Sequence, residues 1–317
     1  MVVFNFAHHN YQSLLQNLAS QLKVTIENNA IIIPENIGNG IIRVIVLPNG
    51  LQTLLVKITF NKDVQIKSGN TNPGDYVLNF DEAEIVSNNS ESIINSFVRL
   101  TGSSFRHWET VKKNSSIQYV KILFSKEWLS KYIGLREKIS VFEKYIPFKS
   151  NAADKEKLDD EYRRIINEIW DISTDDPLQN IYYNNRILLL IEQFFVKVHA
   201  DMLTSTRKSK LSADDMVKLK KVETLLHSPG KSSPEISAIA KKIGMPQTKL
   251  SQSFKQVYGK SIYNYYQVQR MQKAHELLTS GDLSVKDVSE KLGYTNLSNF
   301  ILSFKKNFNI SPKSLLE

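Results

Sequence analysis

Short runs of apolar, β-branched residues separated by polar turns fill the first third of the chain, a pattern typical of β-strands. The turn signals include Glu27-Asn-Asn29 and Pro48-Asn-Gly50. Short strands at this spacing favour a barrel or a sandwich, so we predict a β domain over residues 1–124. The strands are predicted at Leu22–Ile26, Ile41–Leu47, Leu54–Phe60, Tyr76–Leu78 and Ile117–Phe124.

The pattern changes to a helical period after Lys126. Two amphipathic stripes follow, separated by Asp171–Pro177, where the Asp-Pro pair favours a helix start. Thr204–Lys210 is polar, basic and free of large apolar residues, which is typical of a linker. We predict a helical linker or dimerisation region over residues 125–203 and a linker over 204–211. The first stripe contains Leu158, Tyr162, Ile165, Ile166 and Ile169, and the second contains Leu188, Ile191, Phe195, Val198 and Met202.

The last third of the chain contains an internal repeat of about fifty residues, a period typical of repeated structural units. Ile239–Gly244 matches Val288–Gly293, and after each glycine a polar helix start precedes an apolar spine. Residues four apart share one helix face, and a glycine can adopt the left-handed turn conformation. We predict two helix-turn-helix units joined by a helix over residues 262–278. The spines are Leu250, Phe254 and Tyr258 in the first copy and Phe300, Phe304 and Phe308 in the second.

The formal net charge of +9 is concentrated in the last third of the chain. Residues 211–317 hold 16 Lys and Arg against 9 Asp and Glu, whereas residues 1–124 and 125–210 are each within one charge of neutrality. Concentrated basic charge indicates a module that binds a polyanion. The second helix of a helix-turn-helix unit lies in the DNA major groove, and a basic, small-polar face suits that position. A helical hairpin with a solvated face would explain one copy, but two basic copies favour DNA binding.

Roughly residues 212–316 resemble the DNA-binding domain of the AraC/XylS family of bacterial transcription regulators. The resemblance implies an all-α domain over residues 212–317, with two helix-turn-helix units that read DNA. The motif positions that carry it are Arg270-Met-Gln-Lys-Ala274, Leu277-Leu278, Ser284-Val285, Val288, Gly293-Tyr294, Phe300, Phe304-Lys305 and Ser311-Pro312.

The resemblance also implies which side chains contact DNA. In the first unit, Gln247, Thr248, Ser251 and Gln252 would face the bases, with Lys249 and Lys255 near phosphates. In the second unit, Leu297, Ser298, Ile301 and Leu302 would face the bases, with Lys305 and Lys306 near the backbone. Asn296 stands where the family often has a helix-capping Asp, and its side chain can accept the same hydrogen bond.

Three positions depart from the family pattern. Pro246 replaces the usual Ser cap of the first recognition helix, so the fold is kept and the cap is lost. Asn309 stands where Gly is common, and Asn also adopts the left-handed conformation. Leu302 stands where Arg is frequent, so the second unit would either read thymine methyl groups or mainly position the protein on DNA.

The front of the chain resembles the cupin-like sensor barrels that precede this domain in many family members. That resemblance depends on strand density, on Pro73-Gly-Asp75 and on the change from strands to helices near residue 125. It implies a small-molecule effector inside a β-barrel, a homodimer formed by the central helices, and RNA polymerase as a partner.

Few residues suggest catalysis or a cofactor. His8-His9 and Arg106–Glu109 are the most prominent polar clusters of the front domain, but the His-x-His spacing of a metal-binding cupin does not occur. Arg106, His107 and Trp108 would line a ligand pocket, although a surface loop or a packed tryptophan explains them better. No catalytic triad elbow, phosphate-binding glycine loop or His-Glu-x-x-His motif occurs. The absence of cysteine excludes thiol nucleophiles and the methyl acceptor of DNA-alkylation repair. We expect no metal, no cofactor and no enzymatic activity.

The N-terminus lacks a signal-peptide pattern, and the longest apolar run, Ile187–Ile191, is far shorter than a membrane span. The sequence therefore predicts a cytoplasmic, ligand-responsive transcriptional regulator, an activator by analogy with the family, that binds double-stranded DNA and no membrane. Two alternatives stay open: a constitutive DNA-binding or architectural protein with a non-binding barrel, and a cupin enzyme fused to a DNA reader.

Overall fold

The computed structural model describes residues 2–69, 72, 74–86, 92–102, 106–132, 156–208, 211–226, 233–258, 260–279, 282–308 and 310–315. The chain forms two compact units. The first contains most of residues 1–210, and the second contains residues 211–317 together with the short segment Arg106–Thr110. The architecture is mixed α and β, with large sheets in the front part and helices in the last third. Among the described helices, none is both long and apolar enough to span a bilayer.

Ten strands occur in the described part of the chain up to residue 157. A seven-stranded antiparallel sheet has the order β10-β7-β6-β9-β4-β3-β2, and β1 pairs in parallel with β5. The strands are β1 (Val2–Asn5), β2 (Ala30–Ile32), β3 (Gly38–Val46), β4 (Gln52–Phe60), β5 (Val64–Gly69), β6 (Asp75–Val86), β7 (Ser92–Thr101), β8 (Arg106–Val111), β9 (Ser116–Ser125) and β10 (Glu156–Lys157).

The seven-stranded sheet is open, whereas the sequence resemblance implied a closed barrel. Its edges are β2 and β10, which have three and two residues. Such short edge strands offer few backbone groups for further pairing, so the ladder ends at them instead of closing. The predicted strands at Ile41–Leu47, Leu54–Phe60 and Ile117–Phe124 are present as β3, β4 and β9, and Tyr76–Leu78 lies within the longer β6.

An N-terminal helix replaces one predicted strand. Helix α1 (Tyr11–Leu22) begins at Asn10, whose side chain accepts a hydrogen bond from the Ser13 N–H, and it ends at Lys23 in the left-handed conformation. The strand predicted at Leu22–Ile26 is therefore wrong, because its first residue closes a helix and its second reverses the chain. The buried positions of α1 are Tyr11, Leu14, Leu15, Leu18 and Ala19, which follow a helical period.

The described part of the first unit also contains helices α2 (Lys126–Tyr132), α3 (Asp160–Trp170) and α4 (Gln179–Lys208). The predicted stripe of α3 is buried, and Arg163 fixes this helix to the sheet by contacts with Glu82 (3.1 Å) and Ser96 (2.8 Å). In the second stripe Ile191, Phe195 and Val198 are buried and Leu188 is partly buried, while the Met202 side chain lies outside the described residues. Residues 204–208 of the predicted linker continue α4 as helix, whereas Leu211 is not helical.

The inner face of the large sheet carries a buried polar network within an apolar core. The Lys121 ammonium donates hydrogen bonds to Asp81 Oδ1 at 3.0 Å and to Asn79 Oδ1 at 3.1 Å. Arg99 lies 3.6 Å from the other oxygen of the same carboxylate. Strand register explains the cluster, because Asn79 pairs with both Lys121 and Arg99 on the neighbouring strands. Buried charges are tolerated when they are paired in this way.

The second unit is helical in its described residues. One apolar core joins α5, α6, α7 and the start of α8, and α9 and α10 pack on the rest of α8. The elements are α5 (Ala213–Leu226), α6 (Ile236–Ile243), α7 (Gln247–Tyr258), α8 (Ile262–Thr279), α9 (Val285–Lys291), α10 (Leu297–Phe308) and a short 3₁₀ turn at Pro312–Leu315.

Candidate nucleic-acid interface

Two glycines form equivalent turns in the second unit. Gly244 after α6 has φ 64° and Gly293 after α9 has φ 77°, both in the left-handed region that favours glycine. The residue after each glycine donates its N–H to a carbonyl of the preceding helix, Met245 to Ala240 and Tyr294 to Ser289. This arrangement matches a Schellman-type helix end. The two predicted helix-turn-helix turns are therefore present.

The aromatic spines of α7 and α10 face inward, as predicted. Leu250, Phe254 and Tyr258 are fully buried in the first copy, and Phe300, Phe304 and Phe308 are buried in the second. Both spines pack on the linking helix α8. Near its start, Tyr265 lies 5.5 Å from Phe254 between ring centroids, and near its end His275 lies 4.8 Å from Phe308. One rigid element thus positions both second helices.

The N-terminal caps of the two helices differ. The Asn296 side chain accepts hydrogen bonds from the Ser298 N–H at 2.8 Å and the Asn299 N–H at 3.4 Å, which confirms it as the cap of α10. Helix α7 starts after Pro246, whose backbone oxygen accepts from the Leu250 N–H while its side chain offers no acceptor. Asn309, another of the three departures from the family pattern, lies outside the described residues.

The outward face of α7 carries almost all of its predicted residues. Gln247, Thr248, Gln252 and Lys255 are exposed, and Ser251 is partly buried. Every one of them can donate or accept hydrogen bonds. No described carboxylate pairs with Lys255, so its ammonium is available to an anion.

The outward face of α10 has a different chemical character. Leu302 is 65% exposed and Leu297 is 41% exposed, while Ile301 is partly buried. Ser298, Lys305 and Lys306 are exposed as predicted, and neither lysine has an acidic partner in the part of the chain that the structure describes. Helix α10 therefore presents an apolar centre with a hydroxyl before it and cations after it.

Among the described residues, Lys249 is the predicted DNA contact whose side chain pairs with another helix of the unit. Its ammonium contacts both oxygens of Asp215, at 2.7 and 2.8 Å. Asp215 is also the partner of Ser212 in a reciprocal cap of α5: Ser212 N donates to Asp215 at 2.9 Å, and Asp215 N donates to the Ser212 hydroxyl at 3.1 Å. The Lys249 ammonium and the Ser212 N–H hold the pKa of the Asp215 carboxyl below its usual value. The pair fixes the first turn of α7 to the start of α5.

Arg270 supports the turn of the second helix-turn-helix unit, a role that the motif resemblance alone did not assign. Its guanidinium is buried, donates to the Leu292 carbonyl at 2.5 Å and lies 4.2 Å from the Tyr294 ring centroid. Leu292 is the C-terminal cap of α9. Arg270 therefore satisfies a carbonyl at a helix end and holds the residue that follows Gly293.

The polar clusters of the front domain form no metal site in the described residues. No group of three or more His, Asp or Glu side chains there could hold a metal ion. His8 and His9 stack on each other, and His107 lies 3.8 Å from Glu109. The Arg106 side chain lies outside the described residues.

The comparison with known proteins matches the C-terminal part of the chain. A family model described as a helix-turn-helix domain matches residues 239–317. This region is an AraC/XylS-type helix-turn-helix domain. The AraC/XylS-type domain thus coincides with the part of the second unit that holds both turns and both second helices.

Three relatives are transcription regulators by name. The HTH-type transcriptional regulator YtdP of Bacillus subtilis is 28% identical over 153 residues, which are 48% of this chain and 18% of that protein. The xylose operon regulatory protein of Escherichia coli is 29% identical over 79 residues, 25% of this chain and 20% of that protein. The virulence regulon transcriptional activator VirF of Yersinia enterocolitica is 31% identical over 78 residues, 25% of this chain and 29% of that protein. The chain spans about a fifth of the length of the first two.

Proposed function

We propose that this chain is a sequence-specific transcriptional regulator that binds double-stranded promoter DNA. The observation that supports this best is the repeated geometry of α7 and α10. Each follows a left-handed glycine turn, buries a spine on α8 and presents exposed lysines on its outward face, together with hydrogen-bonding side chains in α7 and leucines in α10. Lys255, Lys305 and Lys306, which lack described acidic partners, would neutralise phosphates on either side of the groove.

The two second helices would divide the work of recognition. Gln252 lies on the exposed face of α7, and Gln can pair with adenine through two hydrogen bonds in the major groove. Gln247, Thr248 and Ser251 supply further donors and acceptors beside it. The α10 face would contribute phosphate contacts through Lys305 and Lys306 and apolar contacts through its exposed leucines.

The front unit is proposed as the effector-responsive part, with residues 1–124 as a cupin-like sensor and residues 212–317 as the DNA-binding domain. The proposal rests on the resemblance to sensor domains; the buried Lys121, Asp81 and Asn79 side chains already hydrogen-bond to one another, so an effector that used them would have to replace those bonds. Ile181, Tyr182 and Val196 of α4 are 56%, 38% and 58% exposed, which supports a homodimer through the region 125–203. We propose that the chain is an activator, as the name of VirF says of that protein, and that its partner is RNA polymerase.

Two alternatives make different predictions for the front unit. A constitutive or architectural DNA-binding protein would show no change in melting temperature with any effector in a thermal-shift screen of the full chain. A cupin enzyme fused to a DNA reader would turn over a cupin-type substrate. A ligand that raises the melting temperature and alters DNA affinity would support the proposed regulator.

DNA binding is tested with the full chain on duplexes selected from a random pool, followed by footprinting. Gln252→Ala should weaken binding to the selected site by about 1–3 kcal/mol and relax the choice of base at one position. Lys305→Ala should weaken binding to all sequences alike and reduce the salt slope by about one unit. Selection of no sequence, with affinity independent of salt, would contradict the proposed function.

A further inference from the structure

The two second helices differ at the centre of their outward faces. The repeat aligns Leu250, Phe254 and Tyr258 with Phe300, Phe304 and Phe308, so Gln252 of α7 corresponds to Leu302 of α10. Both side chains are exposed. The same position on the same scaffold therefore holds an amide in one unit and a branched hydrocarbon in the other.

Leu302 is not part of the core of its unit. The spine of α10 is buried on the opposite side of the helix, and 65% of Leu302 is exposed. Ser298 and Asn299 precede it by one helical turn, and Lys305 and Lys306 follow it by one turn, so all five share one face. All four neighbours are exposed. An apolar side chain framed by hydroxyl, amide and two cations needs a partner that is anionic at its margins and apolar at its centre.

The DNA major groove offers such a surface at particular bases. Thymine presents a C5-methyl group at the groove floor, and the other three bases present only donors and acceptors there. Phosphates line both sides of the groove, within reach of lysines on a docked helix. A leucine cannot satisfy the donors and acceptors of the other bases, so its burial against them would leave polar groups without water or partner.

We propose that α10 reads thymine methyl groups, with Leu302 as its specificity-determining residue, while α7 reads hydrogen-bonding groups through Gln252. The inference depends on the proposed DNA-binding function and specifies the chemistry of the second half of the site. Leu297, 41% exposed in the first turn of α10, extends the apolar contact toward a neighbouring base. The preferred site then has two unlike halves, one containing adenine and one containing thymines at the positions that α10 covers.

Uracil substitution isolates the methyl group, because deoxyuridine keeps the pairing and the O4 acceptor of thymine and lacks only the C5-methyl. The probe is a duplex selected by the full chain, with each thymine replaced singly by deoxyuridine and Kd measured by fluorescence anisotropy. Loss of one buried methyl group should raise Kd about fourfold. We expect this increase at one or two thymines in the half protected by α10, and no change at thymines in the half read by Gln252.

Protein variants test which side chain contacts the methyl group. In Leu302→Ala, deoxyuridine at the sensitive position should no longer raise Kd, because the side chain that contacts the methyl group is missing. Gln252→Ala is the matched control, and the effect of deoxyuridine in the α10 half should persist in it. Leu302→Gln should also remove the methyl dependence and favour adenine at that position. Circular dichroism confirms that each variant folds, which the exposure of both side chains favours.

The outcomes separate the two proposals. If the full chain protects no sequence at low salt, the proposed function is overturned and this inference with it. If both halves are protected but deoxyuridine has no effect in the α10 half, DNA binding stands and methyl reading is overturned. If the deoxyuridine effect persists in Leu302→Ala, α10 senses the methyl group through another residue and the assignment to Leu302 is wrong.

Discussion

Replacing Lys249 by methionine separates a structural lysine from a phosphate-binding one. Lys249 was predicted near phosphates, yet its ammonium contacts both oxygens of Asp215, at 2.7 and 2.8 Å. Methionine keeps most of the unbranched side chain and removes the charge. The matched control is Lys255→Met on the same helix, because no described carboxylate pairs with Lys255.

The expected loss follows from the burial of the two partners. The Asp215 side chain is 8% exposed and would lose its charged donor, while the Lys249 side chain is 45% exposed, so water already solvates part of it. A hydrogen bond to a charged group contributes about 1.5–3 kcal/mol, and the exposed lysine reduces this toward about 1–2 kcal/mol. Opening of α7 should therefore become about 5–30-fold more frequent in Lys249→Met. Lys255→Met should leave this opening unchanged.

Two measurements on the full chain test this reasoning. Hydrogen-exchange mass spectrometry reports the opening of α7, and fluorescence anisotropy against salt reports phosphate contacts. The salt slope should fall by about 0.9 in Lys255→Met and stay constant in Lys249→Met. An unchanged α7 exchange rate together with a lower salt slope in Lys249→Met would show that the ammonium leaves Asp215 for a phosphate.

The pH dependence adds a second check. Because the pKa of Asp215 in the folded protein lies below the usual aspartate value of about 3.9, its ion pair stabilises the fold above that pH. The stabilisation is lost as the pH falls through the folded pKa. The difference in α7 opening between wild type and Lys249→Met should thus be full near neutral pH and shrink below about pH 4. A difference that grows on acidification would contradict the assignment.

Two further predictions concern the second unit as a whole. Asn296→Ala removes the cap of α10 and should destabilise that helix by about 1 kcal/mol. Amide exchange should become faster in α10 and stay unchanged in α7, where Pro246 already offers no side-chain cap. Equal acceleration in both helices would refute the local role of the cap. Helix α8 has 18 residues and is about 27 Å long, so it should set α7 and α10 in successive major grooves about 34 Å apart. Insertion of five base pairs between the two protected clusters should abolish joint protection by one chain, and insertion of ten base pairs should not restore it. Unchanged affinity after the five-base-pair insertion would mean that only one helix-turn-helix unit reads DNA.

The second unit was predictable because its sequence repeats. The glycines at 244 and 293, the spines and the linking helix all follow from periodicity and spacing, and the structure places them accordingly. The ion pair between Lys249 and Asp215 was not predictable, because its partners are 34 positions apart and no local pattern joins them. A sequence signal did exist for the partner: Ser212 and Asp215 have the spacing of a capping box.

The front unit was less predictable for two different reasons. The sequence of helix α1 has Asn10 as a cap and apolar positions at helical spacing, but the β-branched run that starts at Leu22 favours a strand directly beside it. Strand β7 illustrates the other reason. Ser92–Thr101 includes polar residues at sheet positions, among them Arg99, whose burial depends on Asp81 in a neighbouring strand. The apolar and β-branched residues of this segment favour a strand, but the pairing that buries Arg99 is not visible in the local sequence.

Under the proposed function, the linking helix α8 also constrains how the DNA target sites would change over generations. Tyr265 and His275 hold the two spines near opposite ends of one continuous helix. The distance between α7 and α10 is therefore set by the protein and does not adjust to the DNA. A base substitution in a regulated promoter removes one contact, and neighbouring contacts can compensate for it. An inserted or deleted base pair between the two base clusters shifts every contact of α7 or of α10 at once. Promoters under this control should therefore diverge by substitution while the length between their two clusters stays fixed.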